Sequence, residues 1–158
     1  EKESENQDTD LINELELEAK VMTLDLRKLK AVSSTLRLNY NLPKQNLKAQ
    51  LVRRIRTAQP AANNKTEPGY ISVARIINSK KTLVLLDITQ MLEYGIISIN
   101  TSGIYVHGNY NLGLNPDQVV LYFEKEQALH GLLKTELRGK LQEDGKLDDG
   151  KEELELKL

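Results

Sequence analysis

The chain has 158 residues, 39% hydrophobic and 28% charged, enough for one ordinary domain or two very small ones and too short for a large multidomain enzyme. Cysteine is absent, which excludes disulfide scaffolds, thiolate metal sites and cysteine nucleophiles together. The formal charge of -1 conceals a swing, since residues 1–21 hold 8 acidic and 2 basic side chains while residues 22–56 hold 1 acidic and 9 basic ones.

The opening run EKESENQDTD has too little apolar surface to offset the entropy of ordering it. Residues 1–21 therefore read as an acidic leader, largely disordered, with a short helix begun by Leu11, Ile12 and Leu15. Residues 23–38 predict the first clear helix. Thr23 caps it, Leu29, Val32 and Leu36 repeat along one face, and Arg27, Lys30 and Arg37 project from the other. Pro43 pushes Leu42 out of the α region and ends the helix near Tyr40-Asn41-Leu42-Pro43. A second helix starts at Asn46 as cap and sets Leu47, Leu51 and Ile55 at i, i+4 and i+8, with Arg53 and Arg56 on the far side and Arg54 on the flank. Residues 57–68 turn to Ala, Gln, Asn, Thr and Pro without an apolar period, the composition of a linker.

In the second half Ile71, Val73, Ile76 and Ile77, then Leu83, Val84, Leu85 and Leu86, read as strands of a hairpin around the polar turn Asn78-Ser79-Lys80-Lys81. Residues 87–94 have helical spacing and stop at Gly95. Residues 96–99 and 104–106 flank Asn100-Thr101-Ser102-Gly103 as a second hairpin. Residues 119–123 are rich in strand-formers and read as a strand, although Asn115-Pro116-Asp117 carries a helix-start signal. From Glu124 the stripe Ala128, Leu129, Leu132, Leu133, Leu137 predicts a helix to about Leu141, followed over 142–158 by a charged, frayed tail. The expected class is α+β: a small helical module at 22–56 joined by the linker to a small α+β domain at 69–141 with two β-hairpins. The helix and hairpin over 87–107 also admit a winged-helix reading. No apolar run approaches the roughly 20 residues that cross a bilayer, so no membrane association is expected.

The two basic helices resemble a SAP module, a helix–extended loop–helix domain that binds double-stranded DNA. The resemblance covers residues 22–56. It rests on Thr23-Leu24-Asp25-Leu26-Arg27-Lys28-Leu29-Lys30 for the leucine-bearing first helix, Asn41-Leu42-Pro43 for the Gly-Leu-Pro loop, and Asn46-Leu47-Lys48-Ala49-Gln50-Leu51-Val52-Arg53-Arg54-Ile55 for the second helix. Asn stands at both family glycines, Asn41 and Asn46, and residues 29–42 run about one helical turn longer than the family pattern. The resemblance implies that Lys44, Asn46 and Lys48, with Arg53 and Arg54 further along, meet phosphates. Lys30, Arg37 and Arg56 complete the cationic rim. Four to six such contacts imply a salt slope of roughly -4 to -5 in log K against log salt.

The expected function is therefore nucleic-acid binding, mainly to duplex DNA, with residues 69–141 binding a protein partner or self-associating. The alternatives are an RNA-binding regulator in an organelle and a structural subunit without nucleic acid. The family implies a nucleus, and a removed leader would fit a mitochondrion. The acidic leader could also fold back over the basic module and compete with nucleic acid. Catalysis has little to stand on. His107 and His130 lack the spacing of metal ligands and read as surface or packing residues, and Asp87 and Asp117 read as caps at helix starts. No enzyme activity, metal or cofactor is expected.

Overall fold

The computed structural model describes residues 2–146, which form seven helices and five short strands and divide into two compact units between Thr82 and Leu83. The class is α+β, with one two-stranded and one three-stranded antiparallel sheet.

The first unit packs four helices, α1 (Lys2–Thr23), α2 (Leu26–Thr35), α3 (Lys44–Arg56) and α4 (Gly69–Asn78), around a single core. That core joins Leu17 and Val21, Leu29 and Val32, Leu47, Leu51 and Ile55, and Val73 and Ile77. The leader expected to be disordered is thus a helix, because Leu17 and Val21 at i and i+4 find a partner surface that the leader alone does not offer. Thr23 closes α1, its hydroxyl donating to the Lys20 carbonyl at 2.7 Å, and the cap of α2 is Asp25, whose carboxylate accepts from the Lys28 N–H at 2.7 Å. Helix α3 begins at Lys44 with Pro43 in the capping position at φ -58, so Asn46 lies inside the first turn instead of capping it.

The expected linker is folded into this unit. Strand β1 (Gln59–Pro60) pairs antiparallel with β2 (Thr66–Glu67) around a 3-10 turn at Ala62–Asn64, where Asn63 and Asn64 both take positive φ, a conformation Asn tolerates better than most residues. The first expected hairpin is helical on both sides of its turn. Gly69, Val73 and Ile77 are buried at i, i+4 and i+8, a helical period that the β-branched composition of α4 obscures. The turn at Ser79-Lys80-Lys81 is where it was expected, but it joins α4 to α5 (Thr82–Glu93). Gly69 slides beneath the end of α3 so closely that a Cβ would collide with the carbonyl oxygens of Arg54 and Thr57 and stand 2.8 Å from that of Ile55. The chain divides after α4, and not at 57–68, because α4 packs on α3, α2 and α1.

In the second unit the meander β3 (Ser98–Ile99), β4 (Tyr105–His107) and β5 (Tyr110–Gly113) follows α5, and α6 (Pro116–Lys125) and α7 (Gln127–Glu143) close the core. Helix α5 stops at Gly95, φ +71, as expected, and the pair β3–β4 is the expected second hairpin. Residues 119–123 are helical. Asn115 caps α6 by accepting from the Gln118 N–H at 2.9 Å, Gln118 reaches back to the Leu114 N–H at 2.7 Å, and Pro116 opens the first turn. Val119, Val120 and Phe123 then bury on one face with Ile88, Met91, Ile97, Leu112, Leu133 and Leu137. The tail expected over 142–158 lies outside the described residues from position 147 on, and its first two residues belong to α7.

The Tyr94 hydroxyl donates to Asp144 at 2.6 Å, tying α5 to the end of α7, and the carboxylate pushes the phenol up from 10.0 to about 12. The folded state therefore favours the neutral phenol. Its stabilising contribution is complete below pH 10 and is lost as pH rises through about 12. Denaturation curves across this window should fall more gently for Tyr94→Phe than for the native chain, and identical slopes would remove the pair from the account.

Candidate nucleic-acid interface

Between positions 26 and 66 the chain has ten basic residues and no carboxylate. The unit ending at Thr82 carries 15 basic and 10 acidic residues, a formal +5, and the unit from Leu83 carries 7 and 13, a formal -6. The near-neutral whole is two oppositely charged halves.

Five of the eight expected contact residues lie at the loop after α2 or along α3 in exposed or half-buried positions. Arg37, Asn46 and Arg53 are exposed, and Lys44 and Lys48 are half-buried. The loop is tied to α3 by Gln50, whose amide donates to the Asn39 carbonyl at 2.8 Å, so Arg37 and the first turns of α3 are held by one connection. No side chain caps α3, and its first-turn N–H groups add partial positive charge beside Lys44 and Lys48. Arg53 lies nearly opposite the Leu47–Leu51–Ile55 stripe, its Nε 3.4 Å from the carbonyl of Ala49 on its own helix.

The other three are placed differently. Lys30 is 8% exposed instead of solvated, because α2 lies against both α3 and α4 and buries five consecutive residues, Leu29 to Ser33. Arg56 is held by Glu18 of α1 in a two-pronged pair, Nε to Oε1 at 2.6 Å and Nη2 to Oε2 at 3.1 Å, which raises its pKa. Arg54 turns inward on the flank of α3. Burial lowers its pKa against the opposing pull of Glu67, and its Nη1 is buried with no hydrogen-bond partner.

Arg37 has a second peculiarity. It follows the C-cap Leu36 at φ +61, donating its N–H to the Ser34 carbonyl at 3.0 Å while Leu38 donates to Ser33 at 2.9 Å, a helix ending that ordinarily uses glycine. Arg37→Gly should stabilise the chain by about 0.5–1 kcal/mol while weakening phosphate binding, and urea denaturation beside a DNA titration reads both. A destabilised variant would show that the Arg37 side chain packs instead of serving a ligand.

The sequence gives little sign of one polar cluster in the second unit. Asp87 is not a cap but lies within α5, 3% exposed, with its Oδ2 3.3 Å from Nε2 of His130. The His130 ring stacks on Phe123, centroids 4.5 Å apart and planes 2° from parallel, beside an open depression of about 360 Å³. A polar residue set in the apolar run 83–88 is the signal that a buried partner is needed. Among the described residues no group of three His, Cys, Asp or Glu could hold a metal. The pair ties α5 to α7.

No family profile, curated protein or solved structure matches the chain. Among the described residues no helix is long and apolar enough to cross a membrane.

Proposed function

We propose that the unit ending at Thr82 binds nucleic acid through its phosphates, with double-stranded DNA as the ligand, along the loop and helix that carry Arg37, Lys44, Asn46, Lys48 and Arg53. The observation that carries this reading is the carboxylate-free stretch from position 26 to 66, which places those residues on one loop–helix connection beside an uncapped helix start. The SAP resemblance of residues 22–56, carried by the same loop and helix, points the same way. Phosphate contacts position a protein without reading sequence. Base readout needs a cluster of Arg, Asn or Gln reaching a groove from one helix edge, and α3 spreads its polar residues around the helix instead. Binding is therefore largely nonspecific. Tyr40 is the one aromatic in 22–56 and is half-buried, a poor platform for stacked single-stranded bases.

The second unit, at -6, is repelled by phosphate and supplies the protein-facing part of this reading. A duplex-DNA ligand suits a nucleus, or a mitochondrion after removal of a leader. Amide-NMR titration of the intact chain with a short DNA duplex and with an RNA hairpin tests the proposal. Shifts gathered over 37–53, saturating at lower duplex than hairpin concentration, are expected. Stronger hairpin binding would replace DNA by RNA, and an unperturbed 37–53 would overturn the reading.

A further inference from the structure

We propose that Arg56 is a further phosphate contact of α3 that Glu18 of α1 keeps occupied, so that the first helix restrains nucleic-acid binding. This rests on the reading of α3 as a phosphate-binding helix and adds an internal competitor to it. Projected at 100° per residue, Arg56 falls between Lys48 and Arg53, about 80° from the one and about 60° from the other. It therefore belongs to the arc of α3 already assigned to phosphate. Its side chain is 63% exposed, open to a ligand lying along that arc.

Glu18 stands where a phosphate would. A guanidinium presents its parallel N–H groups to a carboxylate and to a phosphate in the same two-pronged way, and Glu18 accepts from both Nε and Nη2. The carboxylate comes from outside the carboxylate-free stretch 26–66, brought to α3 by a helix anchored in the core through Leu17 and Val21. Glu18 itself is only 13% exposed. Glu14, about one turn earlier on α1, adds its field at the same guanidinium. Because α1 is fixed to the core, the competitor is intramolecular and re-forms its pair whenever the pair opens. The native chain thus meets DNA with Arg56 withheld.

Duplex-DNA binding by the intact chain, followed by fluorescence anisotropy over a range of salt, tests the proposal. Glu18→Gln should raise affinity about three- to tenfold near 0.1 M salt and steepen the slope of log K against log salt by about 1, the effect of one more phosphate contact. Glu18→Ala, which leaves nothing to hold the guanidinium, should repeat the rise, so the result does not depend on one variant folding. Glu18→Gln with Arg56→Gln should return affinity and slope to the native values, and Arg56→Gln alone should leave the native slope unchanged. Glu16→Gln makes the same change of charge about 200° around α1 and should leave the slope unchanged. The proposal is overturned if both Glu18 variants keep the native slope, if Glu16→Gln raises affinity as much as they do, or if Arg56→Gln flattens the native slope. A native chain without salt-dependent DNA binding would remove the nucleic-acid reading and this proposal with it.

Discussion

Gly69→Ala is expected to destabilise the first unit by about 3 kcal/mol or more, the largest effect among alanine substitutions at the described glycines. The added carbon meets backbone and not a pliable side chain: the carbonyl oxygens of Arg54 and Thr57 occupy its place, and that of Ile55 stands 2.8 Å away. Relief requires α4 to withdraw from the end of α3, opening the core that Val73 shares with Leu51 and Ile55. Gly139→Ala on α7 is the matched control, because nothing lies within 4 Å of the new methyl and alanine is the better helix former, so it should stabilise by up to about 1 kcal/mol. Urea denaturation of both variants decides the matter. Equal stabilities would mean that the junction of α3 and α4 is looser than the structure has it.

The exchange Lys48→Glu with Arg53→Glu is expected to lower affinity for duplex DNA about a hundredfold near 0.1 M salt while leaving the fold intact. Lys48 is half-buried beside the α3 stripe and Arg53 is exposed, so neither holds the core together. An acid at position 53 does oppose the dipole at the end of α3, a penalty of about 0.3–1 kcal/mol, and an amide spectrum of the variant establishes that the unit is still folded. Lys134→Glu on α7 removes an equally exposed cation from the acidic unit and should leave DNA affinity unchanged. A docking module that uses α2 and α3 to grip protein would bind DNA weakly and show no difference between the two exchanges.

Helices were legible where one face alone supplied the apolar residues. Leu47, Leu51 and Ile55 gave α3, and Leu133 and Leu137 gave most of α7. Helix α4 was hidden because Ile71, Val73, Ile76 and Ile77 satisfy alternation nearly as well as a helical repeat, and composition pulled toward strand. At α6 the same pull was outweighed by Asn115, Pro116 and Gln118, which fix a helix start before the apolar residues arrive. Lys30 was misplaced for a different reason. A helical projection shows which residues share a face but not how many neighbours enclose the helix, and α2 is covered by α3 and α4 together. Attraction between the acidic leader and the basic helices was legible from charge alone, but the particular pair of Arg56 with Glu18 was not, since the two lie 38 positions apart. Asp87 was taken for a cap because the four residues before it, Leu83, Val84, Leu85 and Leu86, looked like strand, whereas α5 already begins at Thr82.

Lys30 is buried, Arg54 is turned inward and Arg56 is paired, and the proposed phosphate contacts carry four cations, Arg37, Lys44, Lys48 and Arg53. The most direct test of that count is the salt dependence of duplex-DNA binding, followed by fluorescence anisotropy on the intact chain. A slope of log K against log salt of roughly -3 to -4 is predicted, shrinking by about 2 in the Lys48→Glu/Arg53→Glu variant. A slope near zero, or one that the exchange leaves unchanged, would contradict the proposal that this loop and helix grip a phosphate backbone.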